Sequence, residues 1–119
     1  MSDPAALADR YIEVWNETDA TRRKTLIAAL WTPDASFSDP VASGDGVDGV
    51  DAVIAGIQSQ FAGFRFNLIG KPDGFGDFVR LSWGLGPQGG EAVVKGTDFG
   101  RLENGRLKTV TGFFDQLPG

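Results

Sequence analysis

The sequence predicts an α+β domain in which three N-terminal helices and a cone-shaped, curved antiparallel sheet enclose an apolar pocket. Hydrophobic residues recur at helical spacing in the first half of the chain, and from Gly63 onward they alternate with a period of two. Helices followed by strands in this order favour helices segregated to one face of a sheet. Glycines within the predicted strands permit the curvature, because glycine in a strand often marks a bend. The length fits one domain, residues 1–119.

The first helix is predicted from its start and its apolar stripe. Asp3 supplies a capping side chain, and Pro4 suits the first helical position. We expect the helix to end at residues 16–18, with one apolar stripe facing the core. That stripe consists of Leu7, Tyr11, Val14 and Trp15.

The second helix is predicted over residues 20–30, and Pro33 stops it. It carries the only cluster of basic residues in the chain, Arg22, Arg23 and Lys24. We interpret this cluster as a solvated helix face.

A short extended piece is predicted over residues 35–39, because Pro40 pushes Asp39 out of the helical region. After a loop, Asp48 is expected to cap a third helix with Asp51 in its first turn. The buried face of this helix is predicted to consist of Val50, Val53, Ile54, Ile57 and Phe61.

Four strands are predicted after the third helix, over residues 64–69, 78–85, 91–103 and 106–115. The turn Asn104-Gly105 joins the last two strands, and this dipeptide strongly favours a hairpin. The glycines that permit curvature are Gly84, Gly86, Gly96, Gly100 and Gly112.

The third of these strands has two different faces. One is small and apolar except for a single carboxyl: Ala92, Val94, Gly96, Asp98, Gly100 and Leu102. The other carries most of the charge: Glu91, Val93, Lys95, Thr97, Phe99 and Arg101. We expect the first face to point inward, where small side chains leave room for a ligand and place Asp98 in an apolar setting.

Three polar side chains are candidates for function. A buried, unpaired carboxylate is costly and usually takes up a proton. Asp98 is therefore a protonated donor, a paired carboxylate, a structural group bonded to the backbone, or not inward at all. Tyr11 is either a core tyrosine or a hydroxyl aimed at a partner. Asp39 is either a turn residue or a functional carboxylate where the cone opens.

Composition excludes several classes of function. The net charge is −5 and the pI is about 4.5, so the chain has no basic face for nucleic acid or a polyanionic membrane. The chain contains no Cys and no His, which excludes a thiol nucleophile, a Ser-His-Asp triad and the common zinc sites. The segment 44–49 matches G-x-G-x-x-G, but no buried parallel strand precedes it. We therefore predict no cofactor and no metal.

A cytoplasmic location is the expectation from the sequence. The first seven residues lack a basic start and an apolar run, so no signal peptide is visible. No stretch approaches the roughly 20 apolar residues that would span a bilayer.

Three segments carry a resemblance to known proteins: Arg10-Tyr11-Ile12 on the first helix, Ser38-Asp39-Pro40-Val41 before the loop, and Asp98-Phe99-Gly100-Arg101 on the third long strand. In this order they resemble the first helix, the general-base segment and the protonated-acid segment of bacterial ketosteroid isomerases. The broader superfamily is the nuclear transport factor 2-like (cystatin-like) cone, which includes SnoaL-like polyketide cyclases. The similarity spans nearly the whole chain.

The resemblance implies a mechanism and a partner. Asp39, ionised, would remove a proton next to a ketone, while Tyr11 and a neutral Asp98 would donate hydrogen bonds to the developing enolate oxygen. The ligand would be a small apolar molecule, steroid-like or polyketide-like. Candidate pocket walls for a flat apolar substrate are Trp15, Trp31, Phe61, Phe66, Trp83, Val110 and Phe114. A homodimer is also implied, with Val93, Thr97 and Phe99 on the outer sheet face as contributors.

Other functions stay open from the sequence. A SnoaL-like cyclase or hydratase would use Asp39 or Asp98 as a single acid–base. A non-catalytic pocket would only bind a small apolar ligand, and a fourth possibility is a domain that serves dimerisation alone.

Overall fold

The computed structural model describes residues 3–118 as three helices on one six-stranded sheet, which confirms the predicted α+β class. Met1, Ser2 and Gly119, which the predicted domain includes, lie outside the described residues. The elements run in the order α1 (Pro4–Asn16), α2 (Ala20–Leu30), β1 (Trp31–Ser38), β2 (Ser43–Asp45), α3 (Gly46–Gln60), β3 (Phe64–Phe75), β4 (Phe78–Pro87), β5 (Val94–Glu103) and β6 (Arg106–Gln116).

The strand order in the sheet is β2-β1-β6-β5-β4-β3. Neighbouring strands are antiparallel except β1 and β6, which run parallel. The first strand, β1, lies beside the last strand, β6, so the parallel pair joins two strands that are far apart in the sequence. Register shifts interrupt the β3–β4, β5–β6 and β1–β6 pairs, and such irregularities bend a sheet around its concave face.

The first two helices agree with the prediction from the sequence. The Asp3 side chain accepts a hydrogen bond from the backbone N–H of Ala5 at 3.1 Å, which caps α1. The predicted stripe of α1 is buried against the sheet. The second helix has the predicted bounds, but it ends because β1 begins directly at Trp31, and Pro33 lies within that strand.

The start of α3 and the length of β1 differ from the prediction. The extended piece before the loop begins at Trp31, and the loop contains the short strand β2. The third helix begins at Gly46 with Asp45 as its N-cap residue, so Asp48 lies in the first turn instead of capping the helix. Pairing of β2 with β1 ends at Asp45, and Gly46 has a φ of +70°, so the chain turns into the helix earlier than expected.

The prediction that Arg23 belongs to a solvated face is wrong. Arg23 is 3% exposed, and its Nε lies 2.6 Å from Oδ1 of the buried Asp51 on α3. Its Nη1 donates to the carbonyl of Glu17 and to Oε1 of Gln58, both at 2.9 Å. The helical period places Arg23 on the same face as the buried Ile27 and Leu30. Its charge alone suggested exposure, but α3 packs over this side of α2 and brings the matching carboxylate.

The inward face of β5 is the one predicted from its small side chains. Val94, Gly96, Asp98, Gly100 and Leu102 are all buried. Of these, Val94 and Asp98 line a space between the helices and the concave sheet that side chains leave unfilled. This arrangement places one apolar cavity between the helices and β4 to β6. Among residues 3–118, no helix is long and apolar enough to cross a membrane.

Candidate active site

A cavity of about 250 Å³ lies between the helices and the concave face of the sheet. Its lining is mostly apolar and aromatic, as is usual for small-molecule sites. Five predicted wall residues line it: Trp15, Phe61, Phe66, Trp83 and Phe114. All three candidate polar residues, Tyr11, Asp39 and Asp98, line it as well.

Two of the predicted wall residues do not line this cavity. Trp31 is 1% exposed and stacks on the Tyr11 ring with centroids 6.0 Å apart, so it packs in the core beside that ring. Val110 is buried on β6 between its pairing partners Phe37 and Gly100. Both side chains point inward as expected, but they fill the core next to the cavity.

Several residues that line the cavity were not predicted from the sequence. Phe37 and Leu85 contribute apolar walls, and the mouth is formed in part by the exposed side chains of Val41 and Leu117. Phe37 and Leu85 follow the inward pattern of β1 and β4, so strand alternation could have found them. The mouth residues come from loop and terminal segments that have no periodic pattern.

Tyr11 and Asp98 meet inside the cavity. The Tyr11 hydroxyl lies 2.6 Å from Asp98 Oδ2, and both side chains are almost fully buried, at 2% and 5% exposure. The apolar stripe of α1 directs Tyr11 toward the sheet, and the inward parity of β5 directs Asp98 toward the helix. The two patterns thus place a hydroxyl and a carboxyl in hydrogen-bond contact.

Trp83 supplies a second donor to the same carboxyl. Its indole Nε1 donates to Asp98 Oδ1 at 3.1 Å, so each carboxyl oxygen has one hydrogen-bond partner. In the β4–β5 register Trp83 stands opposite Gly96, where the missing side chain leaves room for the indole ring. Trp83 was predicted as a wall residue, but its bond to Asp98 was not predicted, because the bond depends on the register of β4 against β5.

Burial shapes the acidity of both groups. Desolvation raises the pKa of Asp98 to about 6, against the lowering effect of the hydrogen bonds from Tyr11 and Trp83. The charge of Asp39 makes a smaller contribution to this increase in the pKa. Desolvation, followed by the neighbouring Asp98 charge, also raises the pKa of Tyr11 well above its usual value. The phenol therefore remains a proton donor, while Asp98 exchanges its proton close to neutral pH.

The two carboxyl oxygens of Asp39 have different surroundings. Oδ1 accepts hydrogen bonds from the backbone N–H groups of Val41 at 2.9 Å and Ala42 at 2.8 Å, so it holds the turn after β1. Among the described residues, no group donates to Oδ2. The side chain is half-buried at the cavity, and this leaves one carboxyl oxygen open to a ligand.

Gly112 separates the two carboxyl side chains. A methyl group placed on Gly112 would lie 2.7 Å from Asp98 Oδ1 and 3.3 Å from the Cβ of Asp39. Both acidic side chains therefore come close to the same point above β6, one in a dry setting and one near the mouth. Two carboxyls in such opposed environments are suited to moving a proton within a bound molecule.

The charges around the cavity are all acidic. Among the residues that the structure describes, no Lys or Arg lines it, and Asp39 and Asp98 are the only carboxyls in its lining. Among residues 3–118, no three His, Cys, Asp or Glu side chains cluster in a way that could ligate a metal ion.

Comparisons with known proteins agree with this fold. A family model described as a SnoaL-like domain matches residues 8–110. A solved structure described as a candidate isomerase of the SnoaL-like family, from Agrobacterium tumefaciens, is 40% identical with a TM-score of 0.88, over 92% of this chain and 95% of that one. No curated protein matches the sequence.

Two more distant structures share the fold alone. A candidate ketosteroid isomerase from Kribbella flavida is 18% identical with a TM-score of 0.70, over 98% of this chain and 80% of that one. A candidate polyketide cyclase from Sinorhizobium meliloti is 15% identical with a TM-score of 0.68, over 90% and 93% of the two chains.

Proposed function

Because the chain belongs to the SnoaL-like family of nuclear transport factor 2-like proteins, we propose that its cavity is the active site of a ketosteroid isomerase-like enzyme. The reaction moves a proton next to the ketone of an apolar small molecule and shifts a carbon–carbon double bond. The observation that carries the proposal is the 2.6 Å contact between the Tyr11 hydroxyl and Asp98, with Asp39 facing it across Gly112.

In the proposed reaction Asp39 is the base. Its free Oδ2 removes a proton from the carbon next to the carbonyl, and the electrons of that C–H bond form a new carbon–carbon double bond. The carbonyl oxygen gains the negative charge and accepts hydrogen bonds from Tyr11 and a protonated Asp98. Asp39 then returns the same proton two carbons along, so the product is an isomer of the substrate.

The burial of Asp98 supports its role as a neutral donor. With a pKa of about 6, this carboxyl is protonated below that pH and mostly ionised at pH 7, but it takes up a proton far more readily than an exposed Asp does. An apolar ligand that fills the cavity removes remaining water, and further desolvation favours the uncharged form. Asp98 takes up a proton as the ligand binds and then donates it in a hydrogen bond to the ligand's oxygen.

The lining also restricts the substrate. Since none of the described lining residues is basic, an anionic ligand would face two carboxyls and no compensating charge from them. The volume of about 250 Å³ lies below the ~300–1,000 Å³ that is typical of sites for drug-sized ligands. An uncharged ketone of one or two rings fits inside, whereas a four-ring steroid would project between Val41 and Leu117.

Isomerisation of a β,γ-unsaturated ketone, followed by the absorbance of its conjugated product, tests the proposal. Asp39→Asn keeps an oxygen for the backbone donors of Val41 and Ala42 but cannot take up a proton. We expect it to lower kcat by at least ~100-fold, the usual contribution of a general base. The matched control is Asp73→Asn, an exposed site on β3 away from the cavity, which should leave kcat unchanged. An inert wild-type protein, or a fully active Asp39→Asn variant, would contradict the proposal.

A second candidate is a SnoaL-like cyclase or hydratase in which Asp98 alone is the acid–base group. The observation that favours it is the pKa of about 6, because a base titrating near the working pH is efficient. One variant distinguishes the two candidate functions. Asp98→Asn would abolish either activity, but Asp39→Asn would spare the second.

We also propose that two chains form a homodimer through the outer face of the sheet. Phe99 and Phe113 form an exposed edge-to-face pair there with centroids 5.8 Å apart, an apolar centre that a second copy could cover. Lys95 and Arg101 would lie at the rim. Sedimentation equilibrium should give a dimer that Phe99→Ser weakens, while Phe75→Ser, an exposed residue at the β3–β4 hairpin, has no effect. A wild-type monomer at high concentration would contradict the proposal.

A further inference from the structure

Two indole N–H groups have no hydrogen-bond acceptor among the described residues, those of Trp15 and Trp31. Both side chains are buried, at 6% and 1% exposure. A buried donor without a partner costs free energy, so each such group in a native protein calls for an explanation. The two differ in one respect, because Trp15 lines the cavity and Trp31 does not.

The Trp15 indole lies next to the Tyr11 hydroxyl. Trp15 follows Tyr11 by one helical turn on α1, and their ring centroids are 6.1 Å apart. Burial and Asp98 raise the pKa of Tyr11, and a hydrogen-bond interaction with the Trp15 indole N–H lowers it, so the indole N–H lies close to the hydroxyl oxygen. The N–H does not reach the geometry of a full hydrogen bond to the hydroxyl oxygen, although this oxygen donates its proton to Asp98 and could still accept.

The position of the indole ring is fixed by its surroundings. Trp15 packs against Phe37 and Phe66, each with a centroid distance of 5.4 Å. Its backbone carbonyl accepts a hydrogen bond from Gln58 Nε2 at 3.0 Å, which ties this turn of α1 to α3. The ring therefore cannot turn to find an acceptor elsewhere in the protein without disturbing this packing.

We propose that Trp15 binds the ligand through its indole N–H. This group donates a hydrogen bond to the ligand oxygen that also lies next to the Tyr11 hydroxyl. The ligand it selects is a planar, uncharged molecule with a ketone or phenol oxygen at its buried end. The identification of that oxygen as the reacting one rests on the proposed function. Binding through Trp15 requires only an oxygen acceptor and holds for a non-reacting ligand as well.

The indole protons provide a direct test. The chain has three Trp residues, so ¹⁵N-labelled protein gives three indole resonances, which the variants Trp15→Phe, Trp31→Phe and Trp83→Phe assign. The probe is 2-naphthol, and naphthalene has nearly the same shape without the oxygen. We expect 2-naphthol to move the Trp15 indole proton downfield as it gains an acceptor, while naphthalene gives no such downfield shift and the Trp31 proton responds to neither.

Binding constants give the second readout. Loss of one neutral hydrogen bond should weaken 2-naphthol binding to Trp15→Phe by about 3- to 10-fold. Naphthalene should bind this variant and the wild type equally. Trp31→Phe is the matched control, because it removes an equally buried, unpaired indole N–H that lies outside the cavity, and its affinity for 2-naphthol should not change.

The outcomes separate this inference from the proposed function. A protein that does not isomerise ketones but shows the Trp15 response to 2-naphthol supports the inference and overturns the isomerase. Conversely, the inference is overturned if 2-naphthol binds without moving the Trp15 proton, or if Trp15→Phe binds it as tightly as the wild type. Absence of binding by both probes would also overturn it. If Trp15→Phe does not fold, the response of the wild-type indole resonances to 2-naphthol and naphthalene tests the inference.

Discussion

The Tyr11 hydroxyl lies 2.6 Å from Asp98 Oδ2, although the two residues are 87 positions apart in the sequence. This bond joins α1 to β5 across the cavity, so it forms only when the helix has docked on the concave face of the sheet. It also couples two properties that experiments can separate, the acidity of Asp98 and the free energy of unfolding. The first two predictions follow from this coupling.

Tyr11→Phe should raise the pKa of Asp98 above its wild-type value of about 6. The hydroxyl lowers that pKa by donating a hydrogen bond to the carboxylate. When the hydroxyl is removed, this lowering effect is lost and desolvation raises the pKa more. A titration of the Asp98 carboxyl carbon by NMR measures the change. Trp83→Phe should shift the pKa in the same direction, because it removes the donor to Oδ1. Trp31→Phe is the control that contacts the Tyr11 ring without bonding to Asp98, and an equal shift there would contradict the explanation.

Asp98→Asn should stabilise the protein progressively as the pH rises from about 4 to above 6. The pKa of Asp98 is raised from 3.8 to about 6 by folding, so the unfolded chain releases this proton first and the wild type loses stability across that interval. The loss attributable to Asp98 reaches roughly 3 kcal/mol, at about 1.4 kcal/mol per pKa unit. Asparagine does not titrate there, and its amide can bond both Tyr11 and Trp83.

Urea unfolding of both proteins at several pH values measures this effect. The difference in the free energy of unfolding cancels the other titrating groups, which the two proteins share. It should grow with pH and become constant above the pKa of Asp98. A difference that stays constant from pH 4 to pH 7 would show that folding does not perturb this carboxyl.

The positions of Tyr11 and Asp98 could be predicted because each depends on a local pattern. A helical period places Tyr11 on the buried stripe of α1, and a period of two places Asp98 on the small-residue face of β5. The bond between Trp83 and Asp98 depends instead on the register of β4 against β5. The loop between these strands is irregular, so residue spacing did not determine which side chains stand opposite one another.

Features that depend on how the helices and the sheet pack together could not be predicted from the sequence. Arg23 has the polarity of a surface residue, and only the approach of Asp51 on α3 makes its burial tolerable. Trp31 and Val110 were correctly expected to face inward, yet sequence patterns do not distinguish a cavity wall from the core beside it. That distinction depends on how far the sheet bends, which is set by the whole molecule.

Arg23→Met should destabilise the protein by about 3–5 kcal/mol, because it leaves the Asp51 carboxylate buried without its partner. Chemical denaturation measures this loss. The double variant Arg23→Met with Asp51→Leu should recover most of it, since two apolar groups then replace the buried pair. Arg22→Met is the control on the same helix, where the arginine side chain is 60% exposed and a change of no more than ~1 kcal/mol is expected. Equal losses for Arg22→Met and Arg23→Met would contradict the burial of this pair.

Gly112→Ala should disrupt the site between the two carboxyls. The added methyl group would lie 2.7 Å from Asp98 Oδ1 and 3.3 Å from the Cβ of Asp39, so the Asp98 side chain must move away from its bond with Trp83. We expect a loss of stability of about 1–3 kcal/mol from overpacking. We also expect a changed titration of Asp98 and weaker binding of 2-naphthol.

Gly100→Ala separates these local effects from a general loss of stability. Its methyl group would lie 2.8 Å from Leu107 and 3.1 Å from Val79, so it overpacks the same inner face at a site that does not line the cavity. The two variants should lose similar stability in urea unfolding, but only Gly112→Ala should alter the Asp98 titration. If both variants change the Asp98 titration equally, the change comes from strain spread through the sheet. The close approach of Gly112 to Asp39 and Asp98 then does not explain it.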